Sequence, residues 1–250
     1  MTDRITHECG IALVRLLKPL EHYQLKYGTW MIGLQKLYLL MEKQHNRGQD
    51  GAGVACVKFD LEAGAKYINR QRSADNQAIH KVFKKIYSGF GKLGKTNKDL
   101  IQDGAWAKKN LPFAAELYLG HLRYGTYGKN KLDYVHPVMR QNNWRTRNLV
   151  LAGNFNLTNV DEIFNHLIDL GQHPKDFSDT VTMLENIGHF LDVEVQKEFG
   201  VYKGRGYSNV DITRKIAENL KVENILRESS KKWDGGYVIS GCGPRRCICY

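Results

Sequence analysis

An α+β fold is what the sequence predicts, and three observations carry the prediction. Short, nearly continuous apolar runs at 10–17, 51–59, 117–124, 148–152 and 235–240 read as buried strands. Stretches with helical spacing of apolar residues lie between them. Strands and helices come in clusters rather than strict alternation, which favours α+β layers over a doubly wound parallel sheet.

The elements follow in order. After the 10–17 strand, Trp30, Leu34, Leu37 and Met41 recur at helical spacing, and the pattern stops at Asn46-Arg47-Gly48. The 51–59 strand precedes a basic helical pattern over 76–88 and a glycine-rich loop. Strands at 117–124 and 148–152 come next. Asn159 is placed to cap a helix carrying Ile163, Phe164 and Leu167, with Glu162 in the capping-box position and Gly171 closing it. Ser178 caps a second helix, with Leu184, Ile187 and Leu191 on one face. A third spans 210–230 with Ile212, Ile216 and Leu220, and the 235–240 strand follows. There is no internal repeat and no low-complexity linker, so one domain is the simplest account.

Composition narrows the function classes. At 250 residues, 42% hydrophobic and 25% charged, the chain is long enough for a continuous core. No run of about 18 apolar residues exists, and the polar N-terminus lacks the apolar core of a secretory signal. Five cysteines, at 9, 56, 242, 247 and 249, form an odd and uneven set, which fits a reduced, cytoplasmic setting better than a disulfide framework. The net charge of +11 comes from dispersed lysines and arginines without a zinc-finger or RNP-like motif, so neither a nucleic-acid nor a membrane partner is expected.

Two motifs lose to plainer readings. Residues 89–96 (GFGKLGKT) match the phosphate-binding GxxxxGKT pattern, which needs a buried strand leading in. The lead-in is helical in period and rich in lysine, so a helix-terminating surface loop is expected. The tail 241–250 (GCGPRRCICY) offers three cysteines but no CxxC pair, and no histidine lies nearby, which argues against zinc. Cys9, alone, reads as a small buried hydrophobe at the start of a strand. Its neighbour Gly10 leaves room for close approach to the backbone.

The setting of Cys9 gives it a second reading. Residues 7–11 (HECGI), 44–53 (QHNRGQDGAG), 120–126 (GHLRYGT), 154–157 (NFNL) and 178–180 (SDT) stand in the order found in class II glutamine amidotransferases. The resemblance covers residues 7 to about 240. Its Arg-Gly-Gln-Asp signature and the short segment before the cysteine are most similar to the amidophosphoribosyltransferases, a family of purine synthesis.

The resemblance implies an N-terminal nucleophile hydrolase fold, a four-layer αββα sandwich with antiparallel sheets, here lacking its last strand or strands. Residues 1–8 would be a propeptide, 9–240 the glutaminase domain and 241–250 a discordant Cys/Arg tail marking a truncation or frameshift. On the same resemblance, the phosphoribosyltransferase half would be absent from these residues. Cys9 would be the nucleophile, with its freed α-amine, of reference pKa about 7.7–8.0, as general base. Asn154 and the backbone N–H of Phe155 would form the oxyanion hole. Arg123 would pair with the substrate α-carboxylate, assisted by Thr126. Asp179 would hold the ammonium, and Arg47 and Gly48 would shape the cysteine end of the pocket.

The family run His-Asn-Gly-Asn reads Gly153-Asn154-Phe155-Asn156 here, so Phe155 must keep negative φ to avoid strain. The implied substrate is glutamine, hydrolysed to glutamate and ammonia. The implied partner is a phosphoribosyltransferase half, normally in the same chain, and a homo-oligomer is compatible with the family. No cofactor is implied for the glutaminase half, and magnesium only for the missing one. The rival readings are another class II amidotransferase, an amidase of the same fold, or a catalytically silent binding module.

Overall fold

The computed structural model describes residues 8–96, 98–125, 131–243 and 247–249. Contacts divide the chain into two compact units between Pro137 and Val138. Each builds one antiparallel sheet with its own core.

The first unit runs β1 (Gly10–Arg15), α1 (Leu20–Tyr27), α2 (Ile32–Lys43), β2 (Gly51–Val57), β3 (Ile68–Ser73), α3 (Ala78–Thr96), α4 (Lys98–Gln102), α5 (Gly104–Asn110) and β4 (Leu117–Arg123). Its sheet has the order β1-β4-β2-β3, antiparallel throughout. Strand side chains alternate between faces. Ala12, Val14, Ala52, Val54, Cys56, Tyr118 and Leu122 share one core with Leu34, Leu37 and Met41 of α2 and Val82, Phe83, Ile86 and Phe90 of α3. Burying each large apolar side chain here contributes about 1.5–3 kcal/mol. Trp30 adds a hydrogen bond from Nε1 to the Ile101 carbonyl at 2.8 Å.

The helix α3 corrects one expectation. It continues to Thr96 through the 89–96 motif, where a loop was expected. Phe90 explains this: it is buried one and two turns beyond Ile86 and Val82, and edge-on to Trp30 at 5.2 Å. That packing outweighs the roughly 1 kcal/mol per glycine that helical Gly89 and Gly91 cost. Inside a helix the backbone N–H groups are bonded along the axis, so the motif forms no phosphate cradle.

The second unit runs β5 (Val138–Arg140), β6 (Leu149–Leu157), α6 (Val160–Asp169), α7 (Asp179–Gly204), α8 (Asn209–Asn219), α9 (Val222–Ser229), β7 (Gly235–Cys242) and β8 (Cys247–Cys249). The sheet order is β5-β6-β7-β8. Leu149, Leu151 and Ile239 pack with Met183, Ile187, Leu191 and Val195 of α7 and with Ile212 and Ile216 of α8. Arg140 ties β5 to α7 through Asp192 at 2.6 Å and Glu185 at 3.3 Å.

Three boundaries in this unit differ from expectation. The 210–230 helix is two helices, because Leu220 (ψ 125°) and Lys221 (ψ 87°) leave the helical region. Asn159 precedes α6 but caps it with no side-chain bond. Its Oδ1 instead accepts from the Asp234 N–H at 3.1 Å and its Nδ2 donates to the Lys232 carbonyl at 2.7 Å, which pins α6 to the approach to β7. Strand β7 extends past Ser240 to Cys242, and β8 pairs with it. Gly171, at φ 81°, closes α6 as expected: Gly171 N–H donates to Ile168 and Gln172 N–H to Leu167.

Candidate active site

Cys9 lies at the entrance to β1, beside the end of β4. The register that sets Gly10 opposite Leu122 brings Cys9 to Arg123, and its thiol meets the next residue, Tyr124. The Tyr124 N–H donates to Cys9 Sγ at 3.5 Å, and the thiol faces the Tyr124 carbonyl at 3.9 Å. The cysteine is half-buried. Cys56, by contrast, is in the core of β2, where burial pushes its thiol up to about 12 against the lowering effect of Lys58.

The turn after β4 is fixed by Asp50. Its N–H donates to the Arg123 carbonyl at 3.0 Å, and its Oδ2 accepts from the Gly125 N–H at 2.8 Å. Arg123 is 6% exposed, and its guanidinium carbon lies 5.7 Å from the centre of the Tyr134 ring. Gly48 is where the chain before β2 crosses the β4 backbone. A Cβ there would lie 2.6 Å from the Arg123 carbonyl carbon and 2.7 Å from the Leu122 carbonyl. Only glycine permits that approach without a shift. Arg47 is directed elsewhere: its Nη1 pairs with Glu8 Oε2 at 3.6 Å, both side chains being more than half exposed (60% and 55%).

The second unit holds the other residues singled out in the sequence. Asn154 and Phe155 are on β6, opposite Val238 and Tyr237. Phe155 is not among the described non-glycine residues with positive φ, so the condition placed on it is met. Its ring packs into the second core and covers Gly153, whose Cβ would lie 2.3 Å from the ring. Gly153 and Phe155 are two residues apart on one strand face. Relative to the His-Asn-Gly-Asn run of the amidotransferases the sequence resembles, the bulky residue stands in the third position instead of the first, and the glycine in the first instead of the third.

The ladder also orients the Phe155 N–H. One register runs from Val150 opposite Cys242 to Leu157 opposite Gly235, and Thr158 N–H then donates to the Asp234 carbonyl at 2.9 Å. Bonded and non-bonded pairs alternate in an antiparallel ladder. Asn154 and Asn156 therefore share the bonded phase of Thr158. The Phe155 N–H thus points to the edge of β6 away from β7.

Asp179 is the first residue of α7, behind the Ser178 cap, whose hydroxyl accepts from the Val181 N–H at 3.3 Å. Its Oδ1 accepts from the Thr180 N–H at 2.6 Å and the Thr180 hydroxyl at 3.1 Å. The helix N-terminus favours a negative charge at this position. Thr126 lies outside the described residues.

The structure thus brings Cys9, Gly48 and Arg123 to one end of one sheet, and places Asn154, Phe155 and Asp179 in the second unit. Sequence reading gave no role to Asp50, although it stands in the Arg-Gly-Gln-Asp run, and had no signal for Tyr134. A cavity of about 650 Å³ opens near this end, lined by Tyr38, Glu42, His45, Gly48, Gln77 and His80 among others; Cys9 and Arg123 do not line it. Among the described residues no group of three His, Cys, Asp or Glu side chains is arranged to hold a metal, and no helix is long and apolar enough to cross a membrane.

No protein-family model and no curated protein matches the sequence. Among the solved structures that share its fold, two illustrate the likeness. One is glutamine phosphoribosylpyrophosphate (PRPP) amidotransferase from B. subtilis, complexed with ADP and GMP, at 18% identity and a TM-score of 0.52. The other is described as the allosteric regulatory enzyme of purine biosynthesis, at 18% identity and a TM-score of 0.55. Each match covers 96% of this chain and 36% of the other, so the chain spans about a third of those proteins. At this identity the likeness is one of fold: mixed α+β with antiparallel sheets.

Proposed function

We propose that the chain is the glutaminase part of an amidophosphoribosyltransferase-type enzyme, hydrolysing glutamine to glutamate and ammonia from an N-terminal Cys9. The observation that carries the reading is the Cys9 thiol against the Tyr124 backbone, beside buried Arg123 and a turn fixed by Asp50. The fold shared with glutamine PRPP amidotransferase supports it.

Removal of residues 1–8 converts the Cys9 amide into an α-amine that is partly unprotonated near neutral pH. It takes the thiol proton, and the thiolate attacks the glutamine side-chain carbonyl. Negative charge on the tetrahedral oxygen is met by the Phe155 N–H and the Asn154 amide. The α-ammonium returns the proton to the departing nitrogen, ammonia leaves, and a thioester remains. Water adds to the thioester with the amine again as base, releasing glutamate and restoring the thiol. Arg123 takes the substrate α-carboxylate with two parallel N–H donors, and Asp179 takes its ammonium. Thr126 assists at the carboxylate. Loss of Glu8 also releases Arg47 from its ion pair beside Cys9. The ammonia serves phosphoribosylamine formation on a phosphoribosyltransferase half, and magnesium belongs to that half.

Intact mass and labelling with a thiol-directed glutamine analogue test the proposal. The expected result is a folded species beginning at Cys9, with one adduct on the peptide that starts there. A folded protein that retains Met1 and takes no label overturns it. Turnover of simple amides in preference to glutamine would transfer the reading to an amidase of the same fold.

A further inference from the structure

Residues 131–137 cross the face of the first sheet away from α2 and α3. They are fastened at several points. Arg72 of β3 donates from Nη1 to the carbonyls of Asp133 (3.4 Å) and Val135 (2.8 Å), one on each side of Tyr134. Arg70 donates to the Pro137 carbonyl at 3.4 Å. The His136 ring lies against His121 of β4 with centroids 4.5 Å apart. Between them, Gly53 of β2 lets the strap rest on the strand backbone: a Cβ there would lie 2.0 Å from the His136 carbonyl oxygen. Gly53 stands opposite both His121 and Arg72 in the sheet, so these contacts form one row across three strands.

This strap holds the Tyr134 ring over Arg123, with the guanidinium carbon 5.7 Å from the ring centroid. Lys131 approaches the same ring at 6.0 Å. An arginine buried to 6% exposure has lost most of its water, and a ring face replaces part of that attraction. The ring face is a cation–π partner for the guanidinium and is not a bidentate acceptor of the kind a carboxylate provides.

We propose that Tyr134 is a positioning residue for Arg123, held in place by Arg72, and that this pair sets the preference of the site for an amide substrate bearing a free α-carboxylate. The inference rests on the glutaminase reading and deepens it. The strap fixes the backbone on both sides of Tyr134, the ring fixes the position of the Arg123 guanidinium, and that position sets where a bidentate carboxylate can lie. A substrate whose α-carboxylate is replaced by a carboxamide gains nothing from the arrangement.

The test compares steady-state turnover of glutamine and of glutaminamide by the processed protein and by Tyr134→Phe, Tyr134→Leu and Arg72→Met. Tyr134→Leu is expected to raise KM for glutamine about tenfold, the scale of one desolvated cation–π contact, with kcat within about twofold. The glutaminamide rate should stay unchanged, so the preference for glutamine collapses by the same factor. Tyr134→Phe, which keeps the ring, should retain the preference, and Arg72→Met should lower it in the same direction as Tyr134→Leu. If Tyr134→Leu does not fold, Tyr134→Gln serves as the variant without a ring face. Equal losses on both substrates indicate a merely structural strap and overturn the inference, as does an unchanged preference. Those outcomes leave glutamine turnover by the parent protein intact. Absence of any glutamine turnover or Cys9 labelling in the parent overturns the glutaminase reading and this inference together.

Discussion

Two cysteines of one sheet meet opposite surroundings. Cys56 lies within β2, fully enclosed by the first core, with Tyr118 opposite it on β4. Its charged neighbour Lys58 is itself bound to the carbonyls of Lys108 and Leu111, at 2.8 and 2.7 Å. Burial holds the Cys56 thiol in its neutral form and pulls Lys58 the other way, towards its neutral amine. Cys9 sits where the same sheet runs out, half-exposed, with a backbone N–H directed at its sulfur. Thiol chemistry here is set by depth: strands that continue on both sides silence a cysteine, and a strand end gives one room to react.

The largest expected effect separates the two. Cys9→Ala should lower glutamine turnover by on the order of 10⁴-fold or more, the scale of removing a covalent nucleophile. Cys56→Ala should leave kcat unchanged and cost about 1–2 kcal/mol of stability through the small cavity left behind. Turnover assays paired with urea unfolding check both. Unchanged turnover in Cys9→Ala would erase the functional contrast.

Alkaline pH probes the other end of the comparison. The folded-state pKa of Cys56 is raised from 9.0 to about 12, so its contribution is fully present below pH 9 and is lost as pH rises through 12. Tyr118 acts in the same sense above pH 10, because burial pushes its phenol well up. Lys58 opposes both, since its lowered folded pKa returns some stability as it loses its proton. Between pH 9 and 12 the unfolded chain has released the Cys56 proton and the folded chain has not. The Cys56 share then falls by about 1.4 kcal/mol per pH unit, to a ceiling of about 4 kcal/mol. Urea unfolding at pH 8, 9, 10 and 10.5 should show the difference between the parent and Cys56→Ala shifting with that sign. A difference independent of pH would mean that the thiol is not held neutral by the fold.

The contrast also explains what could be read in advance. Trp30, Leu34, Leu37 and Met41 mark α2 because burial repeats with the helical period, and all four are nearly inaccessible. The Gly171 end of α6 was equally legible, since a left-handed position after an apolar stripe asks for glycine. The extension of α3 through two glycines was not, because it depends on Phe90 meeting Trp30, a contact made across 60 residues. Around the site, Cys9, Gly48 and Arg123 stand in short runs whose order carries a family resemblance. Tyr134 stands in no such run. Its nearness to Arg123 comes from the strap crossing Gly53 under the grip of Arg72, which only the tertiary structure shows. The exchange of bulk between positions 153 and 155 was visible as a departure, but its sense is steric: the Phe155 ring needs the space over Gly153.

Gly48 offers the finest cut, because it disturbs the Cys9 end through the backbone and touches no reacting group. Its added Cβ would fall 2.6–2.7 Å from main-chain atoms of Leu122 and Arg123, so the strand or the crossing segment must move. Overpacking of this kind costs about 1–3 kcal/mol. A shift of β4 at Arg123 reaches Asp50, whose N–H holds the Arg123 carbonyl, and through Asp50 Oδ2 the Gly125 turn beside Cys9. Gly48→Ala should therefore weaken glutamine-analogue labelling of Cys9 severalfold more than Gly89→Ala, where an added Cβ meets nothing within 4 Å. The alkaline behaviour of Cys56 should be the same in both variants. An equal effect of the two substitutions on labelling would show that the cysteine end does not depend on the close crossing at Gly48. A Cys56 response altered by Gly48→Ala would show that the strand end and the strand interior are not separate environments.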